Sequence, residues 1–237
     1  MRYVKMDEKI EKGRAARTIA EKIVKVVKEL NGELIKDIFK DAEEIAELHG
    51  TLTSERGNFF RMQLLHKLEK KLTHEEIVKL CEEAKLVEVD RHLNKLLKFR
   101  LIERDDDGYI RTKLGEEAIN ELRALERRIG EDSANKIYRT SLGVNSIRLF
   151  LRVYGQRKEP DLKKLEIVYS PLEIGKLSLF LPRSVEGIAA IDKLNMADLL
   201  SYKDDGNIHL NPRKSRSFYQ YLQALYRIKE DAKNGNN

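Results

Sequence analysis

The sequence predicts a mainly α-helical protein with small β-hairpins, built as two helix–turn–helix–hairpin modules in tandem behind an N-terminal helical extension. Three observations lead there. Apolar residues recur every three or four positions along most of the chain. Asp107-Gly108 and Asp205-Gly206 each sit between short alternating segments, a local hairpin signal. The whole plan also occurs twice, as LTHEEIVKLCEEAKLVEVDRHLNKLLKFRLIERDDDGYIRTKLG and again as YSPLEIGKLSLFLPRSVEGIAAIDKLNMADLLSYKDDGNIHLNPR. A repeat this long marks duplicated domains, because solenoid units run shorter.

Taken in order, the first fifty residues read as helices. Ile19, Ile23, Val26, Val27 and Leu30 lie at helical spacing before the stop signal Asn31-Gly32. A second helix carries Leu34, Ile35, Ile38, Phe39, Ile45 and Leu48 and is expected to end at Gly50. Two such helices make no core alone and must pack on the rest or on another copy.

From Asn58 a helix bears Phe59, Phe60, Met62, Leu64, Leu65 and Leu68, and Thr73 with Glu76 forms a capping box for the next one. Ile77, Leu80 and Cys81 make that helix's apolar stripe. A third helix runs through Leu93, Leu96 and Leu97, and Leu101-Ile102 open the hairpin. Its turn is expected at Asp107-Gly108, with glycine supplying a positive φ and Arg104 opposite Arg111. A helix from Leu114 carries Leu114, Ala118, Ile119, Leu122, Leu125 and Ile129 on one face, and is interrupted at Gly130 and Asp132-Ser133 or continues toward Tyr138. Another spans Leu142 to Tyr154, and QRKEP is a basic linker.

In the second copy Leu65, Leu68, Ile77 and Leu80 match Leu162, Leu165, Ile174 and Leu177, each 97 positions later. Leu93, Leu96, Leu101 and Gly108 match Ile191, Leu194, Leu199 and Gly206, each 98 later. One inserted residue between the helices accounts for the difference. After Pro212 a last helix carries Phe218, Tyr219, Leu222, Leu225, Tyr226 and Ile228, packing on the second module, with AKNGNN as a frayed tail. The expected divisions are an extension over 1–52, modules over 53–115 and 160–213, connecting helices over 116–159, and a C-terminal helix and tail over 214–237.

Charged residues make up 36% of the 237, against about 25% in typical domains, resembling the ion-pair-rich surfaces of thermophile and archaeal proteins. The net charge of +6 favours polyanionic partners, though the 40 acidic residues limit the effect. No apolar run approaches the roughly 18 residues that span a bilayer, and MRYVKMDEK has no signal-peptide core. One cysteine allows no internal disulfide. These features lead us to expect a cytoplasmic protein with no membrane partner.

HLNKLLKFRLIERDDDGYIRTKLG resembles the third helix, wing and exit of winged helix-turn-helix proteins of the MarR and ArsR groups, with Phe99-Arg100 where their turn glycine usually stands. RSVEGIAAIDKLNMADLLSYKDDGNIHLNP resembles the same fold, again without that glycine. The resemblance covers roughly 53–115 and 160–213 and implies two tandem winged-helix domains, a fold that serves promoters, origins, RNA and protein adaptors alike.

In that fold the third helix enters the major groove. Arg91, Asn94, Lys95 and Lys98 form a ridge opposite the leucines, with groups suited to guanine, adenine and phosphates. The plainer alternative is an ordinary solvated face. Arg104, Arg111 and Lys113 are candidate backbone contacts on the wing, or are simply compensated by neighbouring acids. The acidic tip Asp105-Asp106-Asp107 would be held away from DNA or folded onto those arginines. The second module offers Arg183 and Lys193 on a smoother helix, with a basic collar of Arg148, Arg152, Arg157, Lys158, Lys163, Lys164, Arg213, Lys214 and Arg216 around it. His92 reads as a surface or polar-contact residue. Tyr219, Tyr221 and Tyr226 could stack on bases or pack internally. His66, His74 and Cys81 lack metal-site spacing, so Cys81 reads as a core residue. No catalytic or nucleotide-binding motif occurs, and neither an enzyme nor a cofactor is expected.

The sequence thus points to a double-stranded-DNA-binding transcription regulator. Two alternatives stay open: a replication initiator acting at origins, and a tandem winged-helix protein adaptor. Dimerisation through flanking helices and a protein partner at the second module are compatible with either.

Overall fold

The computed structural model describes residues 33–53, 58–83, 88–140, 142–155, 167–170, 173, 184–204 and 206–235. Ile38–Asn237 form one compact unit, distinct from Met1–Asp37. The larger unit holds nine named helices and five short strands among the described residues. They run α1 (Ala42–Thr53), α2 (Asn58–Lys67), α3 (His74–Glu83), α4 (Val89–Lys98), β1 (Ile102–Asp105), β2 (Gly108–Arg111) and α5 (Lys113–Ile129). There follow α6 (Glu131–Arg139), α7 (Val144–Gly155), β3 (Ile167–Tyr169), α8 (Ser184–Met196), β4 (Leu200–Tyr202), β5 (Ile208–Leu210) and α9 (Pro212–Asn234).

The core gathers around α1. Its Ile45, Leu48 and Leu52 are fully buried, and it packs against α2, α7 and α9. Gly50 does not end it: the helix runs to Thr53, whose hydroxyl donates to the His49 carbonyl at 2.7 Å. His49 is itself buried, edge-on to Phe218 and Tyr221, with Nδ1 3.2 Å from the Tyr221 hydroxyl. That contact ties α1 to α9. A second tie comes from Lys229, 2% exposed, which donates to Asp41 and lies 2.7 Å from Glu230. The last helix therefore packs on α5 and α1, where a place on the second module was expected. Its length explains the shift: 23 residues carry two apolar stretches, and Tyr221, Leu225 and Ile228 reach well past the hairpin. The helix also extends into the expected frayed tail, with Ala232 still buried.

The two halves share local construction in detail. Before α3, Thr73 accepts from the Glu76 N–H while its own N–H and hydroxyl donate to the Glu76 carboxylate at 2.8 and 3.0 Å. Ser170 and Glu173 repeat all three bonds. The turn after the third helix repeats too. Arg100 N–H donates to Leu97 O and Leu101 N–H to Leu96 O; Asp198 and Leu199 do the same to Asn195 and Leu194. This pair of bonds closes a helix through one left-handed residue. Arg100 (φ 50°) and Asp198 (φ 59°) fill it, at the positions where the glycine is missing. The leucine matches hold as core: Leu93, Leu96, Leu101, Leu194 and Leu199 are nearly inaccessible. Leu162, Leu165, Ile174 and Leu177 lie outside the described residues.

Both hairpins pair antiparallel, but with different loops. In the first, Asp105 pairs with Gly108, leaving Asp106-Asp107 as the loop. The expected turn is thus displaced by one residue, and Arg104 lies opposite Tyr109, with Arg111 opposite Ile102. Gly108 has no positive φ. It is required because a Cβ would collide with the Leu72 carbonyl, and Leu72 bridges to Tyr109 by two backbone bonds of 2.8 and 3.0 Å. In the second hairpin Gly206 does take φ 74°, Lys203 N–H reaches Asn207 O, and the loop is one residue longer. There β5 is central, between β4 and β3, so β3 stands in the second half where the Leu72 bridge stands in the first.

Candidate nucleic-acid interface

Helix α4 owes its two faces to its spacing. His92, Leu93 and Leu96 are buried, while Arg91, Asn94 and Lys98 are exposed and Lys95 is half-buried. The Leu101 N–H bond to Leu96 fixes where the helix stops and β1 begins. Four polar side chains named from the sequence thus share one side of one helix.

Each of the three cations on that side is tempered by its surroundings. Arg91 donates to Glu88 at 2.7 Å, and this hydrogen bond raises its already high pKa. Lys98 Nζ lies 2.5 Å from both carboxylate oxygens of Glu47 on α1. Burial lowers the Lys95 pKa, helped by the positive charges of Arg61 and Arg91, while Glu47 opposes the shift. Asn94 is exposed.

Sequence reasoning passed over what lies beneath. Arg61, on α2 and only 2% exposed, donates from Nε to Thr51 O at 2.5 Å and from Nη2 to Gly50 O at 3.1 Å. Its Nη1 is 3.0 Å from His92 Nδ1. Carbonyls at the end of α1 suit a buried cation because the helix C-terminus carries partial negative charge. Burial first, and Arg91 second, pull the Arg61 pKa down to about 10. Of the two expectations for His92, surface exposure and polar contact, the first is corrected by its burial and the second fits its contact with Arg61. Burial, then Arg61, Lys95 and Arg91, lower its pKa, so it sits neutral with a lone pair available to the guanidinium. No periodic signal could reveal this: an arginine between phenylalanines and a methionine looks like any helix-surface charge.

The wing residues disperse. Arg104 stacks over the Tyr109 ring at 5.5 Å. Arg111 turns inward and donates to Leu65 O at 3.2 Å. Lys113 is 89% exposed and 3.9 Å from Glu117. The acidic tip is compensated by Lys71, 2.5 Å from Asp105 and 3.4 Å from Asp107, and by neither arginine. Asp105 Oδ1 also accepts the Asp107 and Gly108 N–H groups at 3.0 Å, closing the loop on itself.

In the second half Lys193 is half-exposed on α8, while Arg183 lies outside the described residues. Adding 98 carries Arg91, Asn94, Lys95 and Lys98 onto Ala189, Asp192, Lys193 and Met196. Met196 (66%) and Ile188 (61%) are the exposed large hydrophobics among the described residues, and both belong to α8. The collar is partly drawn inward: Arg148 and Arg152 sit over the Phe39 ring at 5.6 and 5.2 Å, and Lys214 pairs with Asp198. Arg157, Lys158, Lys163 and Lys164 lie outside the described residues. Tyr219 and Tyr221 are buried and unavailable for stacking on bases.

Cys81 is buried, and burial pushes its thiol up to about 11. Among the described residues no three or more His, Cys, Asp or Glu side chains group as a metal site, and no helix is long and apolar enough to cross a membrane. Comparison with protein-family models, curated proteins and solved structures finds no match to this chain.

Proposed function

We propose that this chain is a sequence-specific double-stranded-DNA-binding protein of winged-helix type, acting as a transcription regulator, with α4 as the helix that enters the major groove. The observation that carries this is the two-faced character of α4: Leu93 and Leu96 inward, Arg91, Asn94, Lys95 and Lys98 outward. The repeated order of bridge or strand, helices, closing turn and hairpin supports the fold assignment. Arg91 can bond guanine O6 and N7, Asn94 can pair with adenine, and the two lysines meet phosphates. Arg104 and Lys113 flank as backbone contacts; Arg111, bonded to Leu65 O, positions the wing.

A gel-shift titration at two salt concentrations tests this. Lys95→Ala should weaken binding to every duplex and reduce the slope of log K against log salt by about 0.9. Arg91→Ala should relax sequence preference, at about 1–3 kcal/mol for the base pair it contacts. Unchanged binding in both variants removes α4 from the interface.

One observation favours a second activity in the same chain. Ala189, Ile188 and Met196 give α8 an exposed apolar side where α4 is cationic, which suits a protein partner better than phosphates. An adaptor role for the second module then accompanies DNA binding by the first. Loss of partner capture in Met196→Glu, with DNA binding retained, is the expected result.

A further inference from the structure

Glu47 belongs to α1, fifty-one residues before the lysine it meets, and both of its carboxylate oxygens lie 2.5 Å from Lys98 Nζ. Its charge also reaches Lys95, where it is the one acidic influence set against Arg61 and Arg91. A carboxylate bonded to Lys98, with its charge felt at Lys95, presents the acceptor oxygens and negative charge that a backbone phosphate would bring there. The placement is not loose. Arg61 grips the Gly50 and Thr51 carbonyls at the end of the same α1 helix and contacts His92 inside α4. The Thr51 hydroxyl donates to the Glu47 carbonyl at 2.9 Å, in the same turn. The elements carrying Glu47 and Lys98 are therefore fastened to one buried guanidinium.

We propose that Glu47 is an intramolecular phosphate mimic that occupies the Lys98 end of the α4 face, so that α1 acts as a built-in brake on DNA association. This proposal rests on the DNA-binding function proposed above and names how that same site is regulated. DNA must exchange the Glu47 carboxylate for a phosphate at Lys98, and Glu47 left nearby repels the strand that replaces it. Both partners are partly solvent-exposed, 56% for Lys98 and 42% for Glu47, so the brake is shallow and reversible. It sets affinity and ionic-strength response without closing the face.

The test uses the full chain and a random-sequence duplex followed by fluorescence anisotropy across a salt series. Glu47→Gln should bind about twofold to fivefold more tightly at low salt, a gain that shrinks as added salt screens the lost charge. Glu131→Gln, an exposed acid on α6, makes the same change in net charge and should leave binding within about twofold of wild type. In a Lys98→Ala background most of the gain from Glu47→Gln should be lost, because the carboxylate no longer competes for that lysine. If wild type binds and Glu47→Gln binds equally or more weakly, the brake is overturned and the DNA-binding function stands. A gain that persists undiminished without Lys98 also overturns it, assigning the effect to general repulsion. If neither wild type nor Glu47→Gln binds duplex at low salt, the function fails with it.

Discussion

Gly115 offers a sharp test of how the first hairpin is joined to the helix that follows. It lies in the first turn of α5, buried, and a Cβ built there would overlap the Leu101 carbonyl oxygen and press on the Arg111 side chain. That carbonyl accepts the Thr112 N–H at 3.1 Å, and Thr112 caps α5 by accepting the Gly115 N–H at 3.2 Å. Gly115→Ala must push Leu101 away. A strained insertion of this kind costs about 1–3 kcal/mol. Loss of the Thr112 bond adds about 1 kcal/mol. Alanine returns about 1 kcal/mol through its helix propensity. The net is a loss of about 1–3 kcal/mol, or roughly 2–4 °C in Tm per kcal/mol for a chain of this size. Urea denaturation followed by circular dichroism measures it, with Gly50→Ala as the reference. Gly50 lies inside α1 with nothing within 4 Å of a built Cβ, so alanine there should stabilise by about 0.5–1 kcal/mol. Equal or greater stability of Gly115→Ala would refute the proposed contact between α5 and the α4–β1 turn.

Gly108→Ala should also destabilise, by about 1–3 kcal/mol, because its Cβ collides with the Leu72 carbonyl; differential scanning calorimetry would show it. Asp198→Gly relieves a left-handed residue but loses the partners Lys214 and Lys136, so it should be about 1 kcal/mol less stable than Arg100→Gly, which gives up no ion pair between described residues. Burial depresses the His49 pKa from 6.5 to about 4. The unfolded chain then binds the extra proton first, so stability is full above pH 6.5 and falls as pH drops toward 4, by roughly 3 kcal/mol in all. His49→Gln should flatten that part of a stability–pH curve; an unchanged slope would mean that other groups produce it.

Much of the architecture was legible because it follows from periodicity. The apolar stripes of α4, α5 and α7 are buried as their spacing predicts, and the repeat is carried into the αL turns at Arg100 and Asp198. The first hairpin's register was not legible, because glycine at position 108 is selected by a close backbone approach and not by its φ. Local turn rules cannot see a strand thirty-six residues away. The Ser170–Glu173 capping box has the same spacing as Thr73–Glu76 and was readable on that ground. The candidate interface was legible as a helix face, but its pairing was not. Glu47, Arg61 and His92 meet it from distant or inward positions, and charge alone does not tell a buried arginine from a surface one. The α9 tyrosines show the same ambiguity: their spacing suits packing anywhere, and Tyr221 meets His49 of α1 while Tyr219 meets Tyr154 of α7.

The central claim is that the outward side of α4 meets a DNA backbone and groove. Amide chemical-shift mapping of the full chain during titration with short duplex DNA tests it most directly. The account predicts the largest changes at Arg91, Asn94, Lys95 and Lys98, with smaller ones at Glu47 and Arg104. Changes confined to α8, or none at concentrations that saturate nonspecific binders, would contradict it.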